Sequence, residues 1–202
     1  MVAIITGDII GSEKHNSAEW LGILKNYLSQ FGSSPMNWEV YRGDEFQLKV
    51  SQGQALEAAI YIKALIKSIK GLDVRMGIGL GTETFKGVGV SESNGPAYQR
   101  SGRTFESLKE DRLNLNIATG NDFFDDTLNL MLKLALHFMD DWSTVSAEIV
   151  VLALKDPKAS QQEMAEKLNI NQSAVSQRQK RARLDLVFEL LDYYTKTLKE
   201  IN

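Results

Sequence analysis

The sequence predicts an α+β fold, a β-α-β-β-α-β unit followed by an all-α segment. Three observations carry the prediction. Residues 38–50 alternate apolar and polar side chains on two short arms around a turn, the period of a hairpin. Residues 17–31 and 54–70 space apolar residues by threes and fours, the period of helices packed on one face. Residues 160–183 carry the capping signals of two short helices joined by a tight turn.

In chain order, "VAIITG" (2–7) is a continuous apolar run ended by glycine, as in a buried central strand. Trp20, Leu21, Leu24, Leu28 and Phe31 line one face of a helix over 17–31, which Gly32 stops. Trp38 and Val40 alternate with Glu39 and Tyr41 on the first hairpin arm. Phe46, Leu48 and Val50 alternate with Gln47 and Lys49 on the second, with Gly43-Asp44 as a two-residue loop. A second helix over 54–70 leads to a strand in "LDVRMGIGL", with Val74, Met76, Ile78 and Leu80 on one face. That order is the ferredoxin-like unit. A glycine-rich connection (84–95), a helix near 96–110, a strand at 113–118 and a helix at 122–140 follow. This last helix is apolar on most of its circumference, which suggests one sandwiched between two bodies. The expected domains are 1–141 and 142–202.

The 202 residues include no cysteine, which excludes disulfides and thiolate chemistry and suits a reducing cytoplasm. The start has no basic n-region and meets charge at Asp8, so it does not read as a signal peptide. No uncharged apolar run reaches the roughly 18 residues of a membrane span, so no membrane partner is expected. Residues 1–157 carry 15 Lys/Arg against 20 Asp/Glu, and residues 158–202 carry 8 against 6. The change of sign suggests two parts with different partners. "GIGLGT" and "GTETFKG" lack the spacing of dinucleotide and phosphate loops, so their glycines read as permitting tight turns. His15 reads as surface and His137 as packed.

Two acidic turns, "ITGDIIGS" (5–12) and "YRGDEF" (41–46), carry the first functional expectation. In a ferredoxin-like sheet the first strand is central and the third is its antiparallel neighbour. Asp8 therefore meets Asp44-Glu45 at one rim. Converging carboxylates repel unless a cation lies between them, and a hard ion with oxygen ligands, Mg²⁺, would resolve the conflict. The loop after Asp8, with Gly11 and Ser12, leads towards a helix N-terminus suited to phosphate. Together these suggest a nucleoside triphosphate site. The bland alternative is that each stretch is turn punctuation alone.

"ITGDIIGS", "YRGDEF" and "VRMGIGLG…SNGPAYQRSGR" resemble three successive signatures of class III nucleotidyl cyclases, over about residues 2–120, and "GDEF" also resembles the GGDEF diguanylate cyclases. The resemblance implies metal-binding aspartates at Asp8 and Asp44, a backbone ligand at Ile9 and a transition-state arginine at Arg103. Gln99 stands where the family has its catalytic asparagine, and Val40 where adenylyl cyclases have a base-selecting lysine. Over its full length the chain resembles the SatD family, which pairs such a domain with a DNA-binding-like C-terminal segment.

In "KASQQEMAEKLNINQSAVSQRQKRAR", Ser160 and Glu163 form a capping box, Asn169 tolerates a left-handed turn, and Val175 anchors a second helix. This is a helix-turn-helix pattern, with the helix at 144–155 (Val145, Ile149, Val150, Leu152, Ala153) completing a trihelical core. Gln172, Ser173, Ser176 and Gln177 are candidates for base edges. Arg178, Lys180, Arg181 and Arg183 are candidates for phosphates. The other readings are a solvated basic face and a protein-contact module. The helix reads as continuing past Leu184 through Leu198, its apolar stripe packing on the helix at 122–140 or on a second subunit.

The leading expectation is thus a DNA-binding homodimeric regulator with a degenerate nucleotide- or metal-sensing cyclase-like domain. The alternative is an active Mg-dependent nucleotidyl cyclase or nucleotidyltransferase with a helix-turn-helix tail.

Overall fold

The structure, a computed structural model, describes residues 1–200 in full and the helical backbone of Ile201; Asn202 lies outside the described residues. Among the described residues it is a mixed α+β protein of five strands and eight α-helices. The strands are β1 (Val2–Ile10), β2 (Trp38–Tyr41), β3 (Glu45–Ser51), β4 (Asp73–Gly81) and β5 (Leu115–Ala118). They form one sheet in the order β2-β3-β1-β4-β5. β1 is central and antiparallel to both β3 and β4, while β5 adds parallel to β4. Central position explains why β1 reads as a continuous apolar run: both its faces are covered.

Helices α1 (Leu21–Leu28) and α2 (Ala55–Lys67) cover one face, where Ala3, Ile5, Ile9, Phe46, Val74 and Met76 join the main core. Helix α3 (Pro96–Asp111) crosses the other, packing Ala97 and Tyr98 on Ile4. The expected helix at 17–31 is shorter, because a 3₁₀ turn precedes buried Trp20 and another follows Leu28. The hairpin loop is Arg42–Asp44, one residue longer than expected, with Arg42 and Gly43 both left-handed. Gly77 and Gly79 are mid-strand residues rather than turn residues. A Cβ on either would collide with the backbone of α3 at Ala97, Ser101 or Phe105, so these glycines set how closely helix and strand approach. Ser101 Oγ then reaches the Gly77 carbonyl at 2.9 Å and Thr6 Oγ1 at 2.8 Å.

The remaining helices are α4 (Asp122–Met139), α5 (Thr144–Lys155), α6 (Gln161–Leu168), α7 (Gln172–Ala182) and α8 (Leu184–Ile201). α4 is not enclosed all round. It buries Leu128, Leu132 and Leu136, whereas Phe123, Leu130, Leu134 and His137 are exposed. His137 is thus a surface residue, and His15 is half-buried and lies 3.2 Å from Glu19. α7 does not run on into α8. Arg183 adopts a left-handed conformation (φ 53°) between them, and the buried Trp142 Nε1 donates to the Ala182 carbonyl at 2.9 Å. The break turns α8 back, so that Val187, Leu190, Tyr194 and Leu198 pack into the same core, and Tyr194 Oη donates to the Gln52 carbonyl at 2.6 Å.

One buried ionic cluster fixes the departure from the sheet layer. Lys63 on α2 is fully buried, 2.8 Å from Asp73 Oδ1 at the start of β4 and 2.6 Å from Asp140 Oδ1 at the end of α4. Lys67 reaches Asp73 Oδ2 at 3.1 Å and the Asp140 carbonyl at 2.5 Å, and Asn114 Nδ2 donates to Asp140 Oδ2 at 3.1 Å. Removing one member of a buried pair strands its partner without compensation. Lys63→Ala is therefore expected to lower the unfolding free energy by about 3 kcal/mol in urea titration. A loss below about 1 kcal/mol, the scale of an exposed pair, contradicts a buried role for this lysine.

Candidate functional site

The rim at the end of β1 is built by strand register. Asp8 is paired across the ladder with Glu45 on β3 and with Arg75 on β4. Residues directly opposite on adjacent strands share a face, so acid, acid and base form a row. Arg75 grips Asp8 as a fork, with Nε 3.1 Å from Oδ1 and Nη2 2.7 Å from Oδ2. Such a bidentate charge-assisted pair fixes both position and direction. The Ile9 N–H donates to the Asp44 carbonyl at 3.2 Å, and Ser12 Oγ donates to Asp44 Oδ2 at 2.5 Å. Glu45 lies 3.9 Å from Arg42. The structure thus brings Asp8, Ile9, Gly11, Ser12, Asp44 and Glu45 to one edge of the sheet.

It does not join Gln99 and Arg103 to them. Both lie on exposed positions of α3, and among the described residues neither makes a hydrogen bond or ion pair to the rim. The expected phosphate-binding helix start is also absent at this point. β1 runs on to Ile10, and Ser12 opens a 3₁₀ turn of three residues, too short to carry a useful dipole.

A Mg²⁺ ion takes about six oxygen ligands in strict geometry. Here both Asp8 oxygens are held by Arg75 and one Asp44 oxygen by Ser12. Among the described residues no three His, Cys, Asp or Glu side chains converge as donors. Mg²⁺ does not fit the rim as arranged, and the cation that pairs with Asp8 is a guanidinium. Arg75 was detectable in the sequence as the polar residue between Val74 and Met76, but only register pairs it with Asp8.

A second fixed charge anchors α3. Glu83 accepts from Tyr98 Oη at 2.7 Å and lies 3.1 Å from Lys49 Nζ. Burial acts to raise its pKa, but the hydrogen bonds and the lysine charge outweigh it and hold Glu83 below the ordinary carboxylate range.

At the other end of the chain, α5, α6 and α7 enclose Ala147, Ile149, Val150, Ala153, Met164, Ala165 and Val175. Val145 is exposed and Leu152 half-buried, so Ala147 and Leu154 take the core positions expected of them. The capping box of Ser160 and Glu163 starts α6, and Asn169 is left-handed (φ 51°, ψ 47°) at its end. Asn171 Oδ1 accepts from Ala174 N to start α7. Gln172, Ser173, Gln177, Lys180, Arg181 and Arg183 are exposed, while Ser176 and Arg178 are half-buried. Arg178 is 3.1 Å from Glu148 on α5, and Gln172 donates to Gln161 at 2.6 Å. Among the described residues Lys180, Arg181 and Arg183 form no ion pair.

Sheet, rim and helical segment define an α+β protein with an acid–base rim and a basic helix, α7, in its C-terminal part. The SatD family (SatD) model matches residues 1–195, so the chain belongs to the SatD family. No curated protein matches it. No described helix is long and apolar enough to cross a membrane.

If Arg75 stands in for a metal, Arg75→Met is expected to lower Tm, and Mg²⁺ or Ca²⁺ is expected to restore part of the loss. The wild type should not respond. Thermal melts with and without the ion check this, and a wild-type Tm that rises with Mg²⁺ contradicts it.

Proposed function

We propose that the chain is a DNA-binding transcriptional regulator of the cytoplasm. In this reading residues 1–141 form a ferredoxin-like, nucleotidyl-cyclase-like domain that senses a nucleotide without metal chemistry, and residues 142–202 form a helix-turn-helix domain. The strand order β2-β3-β1-β4 supports the first assignment, since it places the first strand centrally between the third and fourth. The capped turn from Ser160 to Gln172 on a three-helix core supports the second.

The observation that carries the DNA assignment is the exposed side of α7. Amide and hydroxyl groups (Gln172, Ser173, Ser176, Gln177) occupy its first half, and unpaired cations (Lys180, Arg181, Arg183) its end. A recognition helix enters the major groove with its N-terminal side chains at base edges, while cations outside hold the phosphates. The Glu148 pair already engages Arg178, so its phosphate contact requires that pair to exchange. In this reading a nucleotide phosphate would meet Gly11 and Ser12 at the rim, beside the Arg75–Asp8 pair.

A second reading, a Mg-dependent nucleotidyl cyclase or nucleotidyltransferase, is supported by the register that brings Asp8 and the turn carrying Asp44 to the same rim. That reading needs Arg75 to release Asp8. Under the regulator reading, none of the four nucleoside triphosphates turns over with Mg²⁺ or Mn²⁺; turnover abolished by Asp44→Ala would establish the enzyme instead.

Arg181→Glu with Arg183→Glu is expected to abolish binding to genomic fragments in gel-shift assays while leaving the far-UV spectrum unchanged. Normal shifts by the doubly reversed protein contradict the assignment.

A further inference from the structure

α4 carries an exposed seam that nothing among the described residues covers. Phe123, Thr127, Leu130, Leu134 and His137 follow one another at alternating steps of four and three, the spacing of a coiled-coil contact line. Phe123, Leu130 and Leu134 are 73%, 59% and 61% exposed, and Thr127 is half-buried. Beside the seam an open groove of about 530 Å³ runs between α4 and α8, lined by Met131, Phe138, Leu186 and Tyr193 among others. Apolar side chains exposed in a continuous band mark an interaction site, whereas scattered ones do not.

The charges beside the seam identify what covers it. On the flank away from the groove lie Asp126 and Lys133, seven residues apart and both exposed. The groove flank presents Phe124 and Met131, both half-buried. When two copies of such a helix pair antiparallel, like flanks meet. Phe123 then packs on the partner's Leu134, Thr127 on the partner's Leu130, and Phe124 on the partner's Met131. In the same register Asp126 faces the partner's Lys133, and the two-fold axis repeats that pair. A parallel pairing would instead set each charged flank against an apolar one. The face thus complements itself in both apolar pattern and charge under a single rotation, as an isologous interface requires.

We propose that two copies of this chain associate through an antiparallel α4–α4 contact about a two-fold axis. The contact is independent of DNA and of the rim.

Sedimentation velocity on the full chain, without nucleic acid, tests it. The wild type should sediment as a dimer with a concentration-dependent Tm. Leu130→Lys with Leu134→Lys should give a folded monomer with an unchanged far-UV spectrum and a Tm independent of concentration, since both positions are on the surface. Asp126→Lys alone, or Lys133→Asp alone, should weaken the dimer at least about tenfold by setting like charges opposite each other. The two together should restore it, which a merely structural effect would not do. The proposal is overturned if the wild type is monomeric at all concentrations, if the leucine variant stays dimeric, or if the double charge exchange fails to recover association.

Discussion

The buried lysine at the centre of the molecule constrains everything around it. Lys63 is fully buried, so its ammonium depends on the carboxylates of Asp73 and Asp140. Those two acids belong to the start of β4 and the end of α4, and Asn114 and Lys67 close the remaining valences. A buried charge of this kind gives little net stability over an apolar replacement, because desolvation cancels most of the attraction. Its effect is on geometry. Three distant stretches of chain must meet at one point before any of them is satisfied, and α5 departs only four residues beyond Asp140. The helical segment is therefore seated on the sheet layer rather than tethered to it, an arrangement reinforced by Tyr194 bonding back to Gln52.

The rim follows the same electrostatic logic at a shallower depth. Two acids brought opposite each other by register need a positive partner, and β4 contributes one from the neighbouring strand. A guanidinium on a strand cannot diffuse away as a hydrated ion can, so the neutralising charge is built into the folded chain. It also fixes the direction of the Asp8 carboxylate along the fork. In the regulator reading this suits a surface that recognises a ligand, since the charges are fixed before the ligand arrives.

Much of the architecture was legible from local pattern, because local forces decide it. Period-two alternation places Phe46, Leu48 and Val50 inward, and Ser160, Glu163 and Asn169 satisfy helix ends through short-range bonds that any tertiary context preserves. The misreadings share a different cause: each depends on a partner distant in sequence. The apolar spacing continues smoothly across Arg183, so periodicity cannot reveal a break stabilised by an indole forty residues earlier. Gly77 and Gly79 looked like turn formers because their purpose, admitting the backbone of α3, exists only once the helix is docked. Arg75 was one of many cations until register set it beside Asp8. The apolar circumference of α4 reflects its place between β5 and α8, but composition cannot say which side of a helix remains uncovered.

The proposed activity is a division of labour in which α7 is held by the three-helix core. The cations at its end, Lys180, Arg181 and Arg183, are free for phosphates while Arg178 is paired with Glu148. Phosphate contacts release counterions, so affinity should fall steeply with salt, and each neutralised contact should make the dependence shallower by about one unit of log–log slope. The most direct test is fluorescence anisotropy of genomic duplex fragments across a salt series, comparing the wild type with a Lys180→Gln, Arg181→Gln, Arg183→Gln variant. The expected result is a steep line for the wild type and one shallower by about three units per protomer for the variant. Coincident slopes, or no measurable binding by the wild type even at low salt, would contradict the account.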